Sequence, residues 1–201
     1  MRSAEEIRER YEKLGEQVGP GVTVVAATKY VSVDEMSVLA EAGIELVGEN
    51  RAQDLAAKHA RYATSFRWHF IGHLQSRKAS QVSELSELCH SLASESALAR
   101  LTIPALVEVN LSGEESKSGV SPAQLEGFLA RSDEAGVEVR GLMTMPPLAT
   151  DPEASRPYFR QLHELADRFG LAELSMGTSQ DYYVAVEEGA TYVRVGSVLW
   201  N

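Results

Sequence analysis

Eight runs rich in apolar and β-branched residues punctuate the chain: "VTVVAAT", "IELVGEN", "FRWHFIGH", "ELCHSLAS", "PALVEVNLS", "VEVRGLMTM", "LAELSMG" and "TYVRVGS". Between them lie stretches with helical periodicity, among them "SVDEMSVLAEAG", "RAQDLAAKHARYA", "SPAQLEGFLARSDEAG", "DPEASRPYFRQLHELADRFG" and "SQDYYVAVEEGA". Several open on Ser or Asp and close on Gly, residues that cap and stop a helix. Strands that alternate with helices pair in parallel, because each helix returns the chain to the starting edge of the sheet. Eight such units predict one (β/α)8 TIM barrel as a single α/β domain over residues 1–201. A doubly wound open sheet is the competitor, but it rarely needs eight units. No G-x-G-x-x-G follows the first strand to mark a dinucleotide fold either. Ahead of that strand, residues 3–17 predict an amphipathic helix with Ile7, Tyr11, Leu14 and Val18 along one side.

A hydrophobic content of 44% in 201 residues supplies a sizeable core, yet the apolar runs are too short to span a bilayer. The amino terminus, "MRSAEEIRERYEKLGEQ", is charged and lacks the apolar centre of a secretory signal. Cys89 is the only cysteine, so no internal disulfide forms, and a reducing cytoplasmic location is expected. Leu88 and Leu92 beside it mark it as a packing residue. The formal charge of −10 argues against nucleic-acid partners, which need a basic field, while leaving room for one local anion pocket.

In a barrel the carboxyl ends of the strands converge on one mouth, where ligands bind. Lys29 sits at the end of the first run. A lysine is rarely placed in a core without a partner or a chemical use. In a partly dry mouth, with Arg194 near, its amine would be a nucleophile for a carbonyl, and a snorkelling strand-end lysine is the plainer alternative. "MGTSQD" makes a small-residue turn from a strand into a helix, where Ser179 and neighbouring N–H groups would seat an anion or simply cap the helix. On the last strand Arg194 and Gly196 share a face, and Gly196 with Ser197 would let backbone N–H groups approach a phosphate. An aldehyde for the lysine and a phosphate for the last turns are both carried by pyridoxal 5′-phosphate. An arginine near its ring nitrogen would keep that nitrogen unprotonated and weaken the ring as an electron sink.

The blocks "VAATKY", "GENRAQ", "WHFIGHLQSRK", "VNLSGEESKSGV", "GLMTMPP" and "LSMGTSQDYYVAVEEGATYVRVGSVLW" resemble, in order and spacing over nearly the whole chain, the pyridoxal phosphate homeostasis proteins. The resemblance implies the fold-type III barrel shared with the amino-terminal domain of alanine racemases. It implies that Lys29 forms the internal aldimine, that Ser179, Gly196 and Ser197 bind the phosphate, and that Arg194 faces the ring nitrogen. Asn50, His73 and Met176 would line the pocket wall. The implied role is to carry or buffer the cofactor in vitamin B6 homeostasis, with apo-enzymes as recipients and no robust catalysis. Three residues depart from the family pattern: Thr178 for Met, Arg77 for Asn, and Ala93 for Asp. The sequence stops at Asn201, where the family has Gly and a short helical tail, so the last covering helix is expected to be absent or supplied by residues 3–17.

An amino-acid racemase of the alanine racemase type is the alternative. Racemisation needs a proton donor on each face. Lys29 serves one; in alanine racemases the other is a tyrosine contributed with a separate β-domain, which this sequence lacks. Tyr30, Tyr182 and Tyr183 remain as packing or strand-end residues, and a monomer is expected. A barrel for some other phosphorylated metabolite is a third reading. His69 and His73 lie four apart on a strand face, but no third ligand of matching geometry accompanies them, so no metal site is expected. His69 is expected in the barrel filling, with Trp68 and Phe70 beneath helices. Lys117 is read as a solvated loop residue, and the two prolines of "MTMPPLAT" as stiffening a loop.

Overall fold

The structure, a computed structural model, describes residues 2–114 and 117–200. Positions 1, 115–116 and 201, which include part of the "SGEESKSG" block and the chain end, lie outside the described residues. In chain order the first half runs α1 (Ala4–Val18), β1 (Thr23–Ala27), α2 (Met36–Glu41), β2 (Leu46–Glu49), α3 (Ala52–Tyr62), β3 (Arg67–Phe70), α4 (Ala79–Leu85) and β4 (Leu88–Leu92). The second half runs α5 (Glu95–Leu98), β5 (Ala105–Glu108), α6 (Leu125–Glu134), β6 (Val139–Met143), α7 (Arg156–Phe169), β7 (Glu173–Thr178), α8 (Tyr182–Glu187), β8 (Tyr192–Val195) and α9 (Ser197–Trp200). All neighbouring strands pair in parallel, and β8 returns to β1, so the sheet closes as a barrel. The (β/α)8 expectation is met; closure leaves no unpaired sheet edge.

Strand alternation sorts the side chains into two layers. The outward set, including Val24, Val47, Trp68, Phe70, Val107 and Val193, is buried against the helices in one large apolar cluster. Trp68 packs at a tilt against His59 of α3, ring centres 5.6 Å apart, and it meets Phe66 edge-on at 5.7 Å. The inward apolar residues form two small clusters, Val25–Leu46–Ile71 and Leu88–Leu106–Met143, and Tyr192 packs against both. The remaining interior is polar.

α1 starts at a capping box: Ser3 Oγ accepts from Glu6 N while Glu6 Oε2 accepts from Ser3 N. Ile7, Leu14 and Val18 bury its apolar side as expected, with Tyr11 partly buried. The helix is tied to the end of the barrel, where Arg10 Nη1 donates to Val198 O at 3.1 Å and Tyr182 OH to Gln17 Oε1 at 2.8 Å. Three helices were not read from the sequence: α4, α5 and α9, of seven, four and four residues. Each is shorter than the window of roughly 11–18 residues over which helical periodicity is read.

Candidate functional site

The carboxyl ends of the strands surround a cavity of about 460 Å³. Of the sequence-predicted residues, Lys29, Asn50, His73, Ser179, Arg194, Gly196 and Ser197 line it. Met176 does not, which corrects the expectation for that residue. It is fully buried in the outer apolar cluster, because its neighbour Ser175 takes the inward position on β7 and alternation turns Met176 toward the helices. Lys29 is exposed at the rim rather than enclosed, with Nζ 4.8 Å from the centre of the Tyr30 ring.

The lysine buried in the core is a different one. Lys58 of α3 is ion-paired with Glu49 Oε1 and donates to Thr28 O at 2.8 Å. Thr28 Oγ1 donates to the same Glu49 oxygen at 2.5 Å. Glu49 and Lys58 are almost wholly removed from water, so each charge depends on the other. This cluster pins the residue before Lys29 to the ends of β1 and β2.

Opposite, Gly196 N donates to Ser179 Oγ at 3.1 Å and so ties the turn after β7 to the turn after β8. A Cβ on Gly196 would lie 2.8 Å from Ala27 O, so only glycine lets this turn pass the end of β1. Thr178 N and Oγ1 both donate to Asp181 Oδ1, at 2.7 and 2.9 Å, and Ser155 Oγ donates to Asp181 Oδ2 at 2.7 Å. Asp181 thus shapes the loop that presents Ser179.

Below the cavity runs a buried column. Arg194 Nη1 donates to Ser175 Oγ at 2.5 Å, and Nη2 donates to Thr144 O at 3.0 Å. Ser175 Oγ is 2.7 Å from His90 Nδ1, and His90 Nε2 is 2.9 Å from His69 Nδ1. Tyr192 meets both imidazoles edge-on. Burial pulls Arg194 down to about 10, with Glu108 and Asp181 opposing that shift, so the guanidinium stays charged at neutral pH. Burial also holds His69 down to about 3 and His90 well below the usual imidazole range. Glu108 accepts from Ser118 Oγ at 2.6 Å, and its carboxyl is raised, chiefly by burial.

His69 lies in the barrel filling as expected, whereas β3 ends at Phe70 and His73 stands exposed beyond it, so the two do not share a strand face. No group of three or more His, Cys, Asp or Glu residues placed to hold a metal occurs among the described residues. The sequence reading missed His90, Ser91, Glu108 and Trp200. His90 and Glu108 had a legible signal, each being a polar residue within an apolar strand run; Ser91 lies where the β4–β5 register shifts between Cys89 and Leu92, and Trp200 closes α9, a helix not read from the sequence.

Comparison with known proteins places this geometry. The family described as "Alanine racemase, N-terminal domain" matches residues 3–201. Two proteins named pyridoxal phosphate homeostasis protein, from Aquifex aeolicus and Deinococcus radiodurans, are 37% and 38% identical to the chain. They align over 97% and 96% of it and over 94% and 95% of their own lengths. The chain belongs to the pyridoxal phosphate homeostasis proteins. Among solved structures of similar chains, PipY of Synechococcus elongatus PCC7942 superposes without PLP at a TM-score of 0.88 and 33% identity, covering 97% of this chain and 100% of PipY. With PLP bound, PipY superposes at 0.87 and 32% identity over the same shares. For a pyridoxal phosphate homeostasis protein, the lysine at the end of β1 and the small turns after β7 and β8 are the features on which a ligand reading turns.

Proposed function

We propose that the protein binds pyridoxal 5′-phosphate at the mouth of the barrel and acts in the homeostasis of that cofactor. What supports this most is the meeting, in one cavity, of a strand-end lysine with the Ser179–Gly196–Ser197 turns, in a chain 32% identical to a protein solved with PLP bound. The residues present fit the group. Two serine hydroxyls and a glycine-opened turn offer donors to a phosphate, and Asn50 Oδ1 is buried with no partner, ready to accept from a ligand. When bound, the cofactor supplies an aldehyde that condenses with an amine, and water leaves.

Lys29 Nζ is the amine in this proposal. Ser179 and Ser197 hold the phosphate, and Arg194, fixed by Ser175 and Thr144, presents a permanent positive charge to the ring nitrogen and keeps it from taking a proton. Asn50 and His73 complete the wall. The relatives bear the name of homeostasis proteins. In keeping with that, we assign no robust turnover, and purified protein is expected not to interconvert L- and D-alanine. A single domain, a monomeric state, a cytoplasmic location and apo-enzymes as recipients of the cofactor belong to the same proposal. The fully buried Cys89, raised to about 11 by burial, fits a chain without disulfide chemistry.

The test is chemical. Protein incubated with the cofactor should turn yellow, and borohydride should fix the chromophore on the peptide that contains Lys29. Lys29→Ala should abolish fixation. An unchanged absorption spectrum in that variant would move the attachment elsewhere.

A further inference from the structure

A second hollow, of about 270 Å³, adjoins the cavity and shares Asn50 and His73 with it. Arg51, Gln75, Arg77 and Lys78 also line it, and none of its lining residues is Asp or Glu. Arg77 is one of the three positions that depart from the family pattern, and the cofactor reading leaves it without a role. Arg77 Nε donates to Gln75 Oε1 at 3.3 Å, and Lys78 Nζ donates to Gln81 Oε1 at 3.2 Å, both neutral amides. Arg51, Arg77 and Lys78 make no ion pair with a carboxylate among the described residues.

Several other guanidinium groups of the chain pair with carboxylates. Arg61 meets Asp34, Arg67 meets Glu87, Arg131 meets Glu95, Arg140 meets Glu138, and Arg156 and Arg160 meet Glu188. At a formal charge of −10 carboxylates are abundant, so three cations around one hollow without any are a local reversal of the molecule's field. We propose that this hollow is a second anion subsite and that it takes a phosphomonoester dianion. Guanidinium forks match phosphate oxygens in pairs, and the lysine adds a point charge. A zwitterionic amino acid would bring an ammonium group against the same cations. A polyanion would be repelled by the chain's overall charge of −10. The subsite lies beyond the ends of β2 and β3, with β1 between it and the Ser179–Gly196–Ser197 turns, so both anion seats can be filled together.

The experiment fills the first seat permanently. Protein carrying borohydride-fixed cofactor is titrated by calorimetry with glycerol 2-phosphate, with pyridoxine 5′-phosphate and with succinate. One saturable equivalent of phosphate ester is expected, at least tenfold tighter than succinate. It should weaken at least tenfold in Arg51→Gln/Arg77→Gln, whose yield of fixed chromophore stays at the wild-type level. Tighter uptake of pyridoxine 5′-phosphate than of glycerol 2-phosphate would point to a vitamin-derived ligand, and equal uptake to phosphate recognition alone; both support the subsite. Absence of saturable uptake, uptake unchanged in the double variant, or equal binding of succinate overturns the proposal. Should borohydride fix no chromophore, the cofactor reading fails instead. The same titration on the protein as purified then decides the subsite: loss of one class of phosphate sites in the double variant supports it, and no loss overturns it.

Discussion

Arg194 can only donate, and that orders the protons of the column beneath it. Ser175 Oγ accepts from the guanidinium, and since Ser175 is fully buried, its own hydrogen goes to His90 Nδ1. His90 then carries its proton on Nε2 and donates to His69 Nδ1. Both imidazoles are neutral in the fold, as their lowered values require. The unfolded chain takes up protons below about pH 6.5, so it binds more of them than the native state as the pH falls. Stability is therefore full above that pH and declines below it by about 1.4 kcal/mol per pH unit for each histidine. For His69 the decline continues to about pH 3. Urea denaturation between pH 7 and pH 4 checks this. His90→Gln keeps a polar group for Ser175 and should lose about half of the histidine slope; a parallel curve would show that His90 titrates freely. The raised carboxyl of Glu108 contributes with the opposite sign and is common to both proteins. From sequence, Lys29 and Arg194 were legible because a charge at a strand end stands out against its apolar neighbours. His90 lay inside "ELCHSLAS" and was not singled out, although a polar residue in an apolar run was the signal available. Met176 was misplaced because a motif gives proximity to a site, and only the inward or outward alternation of β7 decides what touches it.

At the scale of elements, α3 is bound to the sheet by one buried charge pair. Removing a single partner leaves an uncompensated charge with no water near it, at a cost of about 3–5 kcal/mol. Lys58→Met should therefore destabilise the fold by that order in a denaturant titration. Glu49→Gln in the same chain leaves an acceptor for Thr28 Oγ1 and removes the stranded charge, and should recover about half of the loss. Additive losses would mean that the two groups do not depend on each other. Long helices with a clear apolar side, such as α1 and α7, could be read from periodicity. α2 came out shorter than its stretch "SVDEMSVLAEAG", with the segment before Met36 wound as turns. The buried pair was illegible because Glu49 and Lys58 look like surface charges until α3 packs on β2.

For the whole molecule, the residues proposed for the amine, the phosphate seat and the ring nitrogen lie in or just beyond β1, β7 and β8, neighbouring strands on either side of the β8–β1 closure. A ligand held across that seam stabilises the closed form. Saturation a hundredfold above the dissociation constant adds about 2.7 kcal/mol, which for a chain of this size raises the melting temperature by roughly 5–10 °C. Differential scanning fluorimetry with and without cofactor measures the shift, and Lys29→Ala should lose most of it. The architecture was legible because eight alternating units leave few topologies. The polar interior was not, since sequence does not say which half of each strand faces the axis.

The Tyr192–His69–His90 layer, with the two apolar clusters beside it, stops the tube from below. The barrel is thus a blind-ended vessel with a single doorway. A ligand held at the mouth would enter and leave by the same route, so the residues standing at that threshold would govern its residence time.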